Sequence, residues 1–182
     1  KGKSVFALPD RLYNEMQTPM GVMLQVVAGD RAWTKMGPQA RDLPGAALAE
    51  MKKGLWTESG CAVLFKAALD GKVEAQALGK TKFEGADAEA ILVRSADNLK
   101  VFLSPDGANL LGTSRMAQTQ EGPAEVVETY GAFTVVSGLR LPFEQTQKAK
   151  GEVVASAKLT SVKINAGFDE GIFKKPEAPA AK

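Results

Sequence analysis

The sequence predicts a mainly β fold: a strongly curved antiparallel sheet with a helical insertion covering its concave face. Three observations carry this. Short stretches of period-two alternation, bounded by turn residues, recur every ten to fourteen residues or so. One stretch, residues 43–69, has the apolar spacing of helices instead. No other helical segment intervenes that could cross over between parallel strands.

From residue 4 to residue 36 the chain reads as strands with tight turns. Pro9-Asp10 interrupts the first. Over residues 11–18, Leu12, Asn14 and Met16 alternate against Arg11, Tyr13, Glu15 and Gln17, the pattern of a half-buried strand. After Pro19, Met20, Val22, Leu24 and Val26 continue on one side, and Gly29-Asp30 turns the chain into residues 31–36. These short, turn-bounded strands predict a meander.

The helical stretch follows. Leu43, Ala47, Met51 and Leu55 recur at a spacing of four, with Leu48 beside them, while Glu50, Lys52 and Lys53 fall off the stripe. Pro44 suits the first helical position, because its missing N–H needs no partner there. Gly54 is expected to break the run, Thr57 or Ser59 to cap a second helix from Cys61 to Leu69, and Asp70-Gly71 to end it. A buried strand is the alternative for CAVLF; Ala62, Ala67 and Ala68 favour helix. Cys61, among Ala62, Val63, Leu64 and Phe65, reads as a small buried thiol.

Strands resume at 73–83 and 88–94, turn at Ala96-Asp97-Asn98, and place Leu99, Val101 and Leu103 on one face. Ser104-Pro105-Asp106-Gly107 is a strong turn signal. Residues 110–119, 124–132, 133–137, 139–148 and 152–165 complete the set. Val153, Ala155, Ala157 and Leu159 alternate in one phase and Val162 and Ile164 in the other, which predicts a β-bulge near Thr160-Ser161. Phe168 and Phe173 are expected to anchor a short irregular segment over the sheet. The chain is read as one domain over 1–175 with a flexible tail, 176–182, too poor in apolar surface to stay ordered.

Composition removes whole classes of function. A formal charge of +2 with no basic block among aromatics speaks against nucleic acid, and no apolar run approaches the roughly 20 residues of a membrane span. With no histidine and one cysteine, neither a Cys/His zinc site nor a Ser-His-Asp or Cys-His nucleophile can be assembled from this chain. No cofactor and no enzymatic activity are expected. Gly79-Lys80-Thr81 resembles the end of a phosphate loop but lacks the earlier glycine, Glu74 standing in its place. Glu84, Asp87 and Glu89 read as a solvated strand face, and Glu125 with Glu128 as a chance pairing of carboxylates. Aromatic and methionine side chains remain, and they could fill a core or line a greasy cavity. The lining expected for such a cavity is Leu24, Trp33, Leu48, Met51, Leu55, Val63, Leu64, Leu92, Val101, Met116 and Phe143.

Pro9-Asp10-Arg11-Leu12-Tyr13-Asn14-Glu15-Met16-Gln17-Thr18-Pro19, followed by Val26-Val27-Ala28-Gly29-Asp30-Arg31-Ala32-Trp33, resembles the LolA/LolB-type lipoprotein-carrier family, in which a proline-aromatic strand leads through a hairpin to a strand ending in tryptophan. Tyr130, Gly138-Leu139-Arg140-Leu141-Pro142, Val162-Lys163-Ile164-Asn165 and Phe173-Lys174-Lys175-Pro176 are similar to the closing strands of lipoprotein-sorting-like domains. Leu8 stands where the carriers commonly have an arginine. The resemblance implies an incomplete, strongly curved half-barrel closed by helices, with a hydrophobic cavity for a lipid or the acyl chain of a lipoprotein, in a periplasmic or otherwise exported bacterial protein near the outer membrane. It also implies a helix and a strand upstream of Lys1. Similar domains attached to larger exported proteins suggest the alternative of an accessory domain covalently linked to a protease of the pitrilysin/insulinase type or another envelope partner.

Overall fold

The computed structural model describes residues 1–58, 61–94, 98–119 and 122–176. The chain divides into two compact units, one formed by Lys1–Leu69 with the segment from Gly167 onward, the other by Asp70–Ala166. The sheets are open and antiparallel, not closed into a barrel. From residue 177 the expected flexible tail lies outside the described residues, as do Ser59 and most of the 96–98 turn.

The first unit is built on a five-stranded meander: β1 (Gly2–Ala7), β2 (Arg11–Thr18), β3 (Gly21–Ala28), β4 (Arg31–Met36) and β5 (Gln39–Asp42), paired in chain order. Gly29, at φ +61°, makes the tight β3–β4 turn in a backbone region that costs a side chain dearly. Register then sets the faces. Leu12, Val27 and Ala32 stand side by side on one face, and Tyr13, Val26 and Trp33 on the other. Strand β5 was not expected. QARD has no apolar alternation of its own, and its pairing with β4 supplies the order.

Helices α1 (Gly45–Glu58) and α2 (Ala62–Leu69) follow. The Leu48 N–H donates to the Pro44 carbonyl at 3.0 Å, so Pro44 stands just before the first helical residue and not on it. Gly54 does not break the helix. A glycine inside a helix costs about 1 kcal/mol against alanine, and burial of its neighbour Leu55 outweighs that. The break falls after residue 58, where Cys61, fully buried at φ +63°, accepts the Phe65 N–H at 2.9 Å. Gly71, at φ +68°, follows the end of α2 as expected. Leu55 and Val63 pack on Leu12, Val27 and Ala32, with Phe6, Leu43, Leu48 and Met51 around them. Each such buried aliphatic contributes roughly 2 kcal/mol.

The opposite face of the same sheet is strapped by the C-terminal segment. A short 3-10 helix, Glu170–Phe173, capped by the Asp169 carboxylate on the Gly171 N–H at 2.7 Å, drives Phe173 into a cluster with Ala7, Val26 and Trp33. Phe173 is the expected anchor. Phe168 meets it edge-on with centroids 5.6 Å apart and stays more than a third exposed.

The second unit is a seven-stranded sheet in the order β14-β13-β10-β9-β8-β7-β6. Its strands are β6 (Ala75–Phe83), β7 (Ala86–Val93), β8 (Leu99–Leu103), β9 (Leu110–Thr119), β10 (Gly122–Gly131), β13 (Glu144–Ala149) and β14 (Glu152–Lys158). Between β10 and β13 the chain makes a separate hairpin, β11 (Thr134–Val136) with β12 (Leu139–Leu141). The single strand expected over 139–148 is therefore two. Pro142 has no N–H to continue a ladder, and the Phe143 N–H turns to the carbonyls of Gly131 and Ala132 at 3.0 and 3.3 Å. The expected bulge near Thr160-Ser161 is also corrected. Strand β14 ends at Lys158, and the irregularity lies between Gln147 and Lys148, where Val154 is the extra residue on β14. Every residue of β14 is exposed, so the phase change along it needs no accommodation in a core. Gly112 is fixed by close approach: a Cβ there would lie 2.2 Å from the Glu128 carbonyl oxygen and 2.4 Å from the Phe83 ring, which stacks on Phe102 at 4.2 Å.

Candidate functional site

The helices bring together four residues of the expected cavity lining. Leu48, Met51, Leu55 and Val63 converge over Leu12 and Val27, and Leu64 on α2 is buried. The first unit's other two members do not join them. Leu24 and Trp33 lie on the opposite face of the five-stranded sheet, in the cluster sealed by Phe173, because each is an odd number of residues from the helix-facing Val27 and Ala32. In the second unit, register places Val101 in a row with Ile91, Thr113 and Glu128, whereas Leu92 shares the opposite face with Lys100 and Ser114. Met116 is on that opposite face too, 60% exposed, and Phe143 is half-buried ahead of β13. Within each unit the expected lining is divided between the two faces of a sheet.

The candidate chemistries resolve into structural roles. Gly79-Lys80-Thr81 sits inside β6, with Gly79 beside a register shift, and leads into no helix. Glu84 pairs with Lys148, and Asp87 with Lys82 at 2.6 Å. Among the described residues no group of three candidate ligands could hold a metal ion. Glu125 and Glu128, three apart on β10, point to opposite faces. Glu128 is 4% exposed, and its carboxylate accepts from the Tyr130 hydroxyl at 2.9 Å, the Gln145 amide at 2.9 Å and the Gln147 amide at 3.2 Å. Those glutamines stand opposite Tyr130 and Glu128 on β13, so the network ties the two strands.

Two features escaped the sequence reading. One is the polar hold on the C-terminal strap. The Trp33 indole N–H donates to the Phe173 carbonyl at 3.3 Å, Arg11 lies 4.9 Å over the Phe173 ring and pairs with Glu170, and Lys175 pairs with Asp42 at 2.7 Å. The other is a shallow groove of about 280 Å³ on the strap face, lined by Met20, Gly21, Val22, Leu24, Lys35 and Gly37. The run Met20, Val22, Leu24 along one side of β3 is the sequence signal for it. Beside it, Tyr13 donates to the Glu15 carboxylate at 2.7 Å; burial first and that carboxylate second push the phenol up to about 12.

No family model matches this sequence, and no curated protein matches it. Solved structures do match. A protein of the DUF1329 family from Desulfovibrio piger aligns at a TM-score of 0.57 and 10% identity, over 95% of this chain and 79% of that one. A LolA superfamily protein from Nitrosomonas europaea aligns at 0.51 and 11% identity, over 92% and 77%. The chain has a LolA-like fold. A domain from Vibrio parahaemolyticus described as an outer membrane lipoprotein-sorting protein is similar at a TM-score of 0.48 and 13% identity, over 90% of this chain and 78% of that one. At such identities the likeness is one of fold, and LolA-like here names an architecture: open antiparallel sheets with a helical pair laid on a sheet face.

Proposed function

We propose that this chain is a non-enzymatic binding module of the bacterial envelope that takes up a lipid or the acyl chain of a lipoprotein. The observation that carries the reading is the LolA-like arrangement of α1 and α2, which lay an apolar face on the five-stranded sheet and leave Phe6, Leu43, Leu48 and Met51 half-buried around a fully buried centre. A half-buried apolar rim is where an added acyl chain gains most, at about 25 cal/mol per Å² of apolar surface removed from water, less the cost of ordering it. Methionine at the rim suits an irregular hydrocarbon occupant. The resemblance of residues 9–33 to the lipoprotein carriers supports the same reading, and so does the fold of the Nitrosomonas protein. No helix among the described residues is long and apolar enough to cross a membrane.

The test is titration of the full chain with a fluorescent fatty acid, followed by displacement with an unlabelled acyl lipid. Saturable, displaceable binding is expected. Absence of saturable binding, with the protein folded by circular dichroism, refutes the reading.

A further inference from the structure

We propose a specific seat for an anionic single-chain amphiphile on the sheet face away from the helices: hydrocarbon along Met20, Val22 and Leu24, with the charged head on Lys35. This rests on the lipid-binding reading above and adds a second seat, on the face opposite the helix-side rim, with a head-group preference of its own.

The groove is built by register. Lys35 on β4 stands directly opposite Leu24 on β3, so the ammonium lies at the end of an apolar row whose next member toward the β2–β3 turn is Val22. Ala40 on β5 flanks Lys35 on its other side, too small to cover it. Gly21 and Gly37 border the groove at its β2–β3 turn end, and a Cβ on either would meet nothing within 4 Å, so that end is open. Met20 is 77% and Val22 47% exposed, which leaves apolar surface unburied beside a cation. Among this unit's other lysines, Lys52 pairs with Asp30, Lys53 with Glu50 and Lys175 with Asp42. Among the described residues Lys35 enters no ion pair. Leu24 also packs against the cluster of Trp33 and Phe173, which anchors the floor of the groove.

Charge decides the head group. Glu15 lies on the far side of Leu24, in the same row, and its carboxylate already accepts the Tyr13 hydroxyl. The two charges stand two strand spacings apart, roughly 10 Å. Lys3 on β1 flanks Glu15 on its other side in that row, so the carboxylate stands between two cations, and an anionic head is drawn to Lys35, the cation that borders the apolar residues.

The experiment is calorimetric titration of the full chain with dodecanoate and with dodecyltrimethylammonium, each below its micelle-forming concentration, for the unaltered protein, Lys35→Glu and Val22→Glu. The unaltered protein is expected to prefer dodecanoate. An exposed ion pair is worth up to about fivefold in affinity, so reversing the charge lowers dodecanoate affinity roughly tenfold or more and favours the ammonium. Val22→Glu weakens both. Should Val22→Glu fail to fold, the Lys35→Glu reversal decides alone. Dodecanoate binding that is unchanged in the variants places the ligand elsewhere and overturns this seat while leaving the lipid-binding reading standing. No binding of either amphiphile to the unaltered protein overturns both.

Discussion

Removing the Glu128 side chain tests whether this buried acceptor is structural. Glu128 is 4% exposed and Tyr130 8%, whereas Gln145 and Gln147 are half-buried. Truncation to alanine strips the acceptor from a buried hydroxyl, which water cannot easily replace, and from two amides, which water can partly reach. An orphaned buried donor costs about 1–3 kcal/mol and a half-buried one less. With the packing lost, Glu128→Ala is expected to cost about 3–5 kcal/mol. Glu128→Gln keeps one acceptor but turns an amide N–H₂ toward other donors, at about 1–2 kcal/mol. Glu125→Ala, an exposed position on the other face of β10, should stay within about 0.5 kcal/mol. Urea unfolding followed by circular dichroism measures all three. With a slope near 2 kcal/mol per molar, Glu128→Ala lowers the midpoint by about 2 M. A Glu128→Ala midpoint equal to that of Glu125→Ala would refute the network as a tie between β10 and β13.

Phe173→Ala should destabilise the first unit by about 3–5 kcal/mol, the usual range for truncating a buried phenylalanine. It should also shift the emission of Trp33, whose indole N–H is held by the Phe173 carbonyl, to longer wavelength. An unshifted spectrum would mean that the strap does not shield Trp33. Tyr13, pushed up to about 12, should stay un-ionised in the folded protein while an unfolded tyrosine near 10.0 titrates. The folded state then holds a proton that the unfolded state has released, so stability is indifferent to Tyr13 below pH 10 and falls as the pH rises from 10 towards 12. Absorbance titration of the native protein and of Tyr13→Phe checks this: the phenolate signal near pH 12 should fall by one tyrosine in the variant.

How far the sequence could be read varied along the chain for identifiable reasons. Strands 11–18, 31–36 and 110–119 coincide with β2, β4 and β9 because alternation and turn residues agree there about the same boundaries. The helical stretch 43–69 is equally plain, yet Gly54 misled: its local cost is smaller than the burial its neighbours gain, and that gain is invisible until the sheet beneath is known. QARD became β5 through its ladder with β4, and 139–148 was divided at Pro142 by hydrogen bonds to residues ten or more positions away. The candidate lining is divided between sheet faces for a related reason. Tyr13 beside Leu12, Val26 beside Val27 and Trp33 beside Ala32 make both faces of the first sheet apolar, so hydrophobicity alone could not tell the helix side from the strap side.

By itself, the sequence determined the class of fold, since period-two alternation, turn chemistry and one helical stripe are local signals that each stretch carries within itself. It also settled which catalytic groups could not be assembled, because a chain with no histidine and one cysteine lacks them in any fold. Only the tertiary structure decided which face each apolar row meets, that Phe173 closes over Trp33, and that Lys35 is left beside open hydrocarbon. Those outcomes depend on strand register and on contacts between residues as far apart as 33 and 173, and a one-residue shift of register would reverse them.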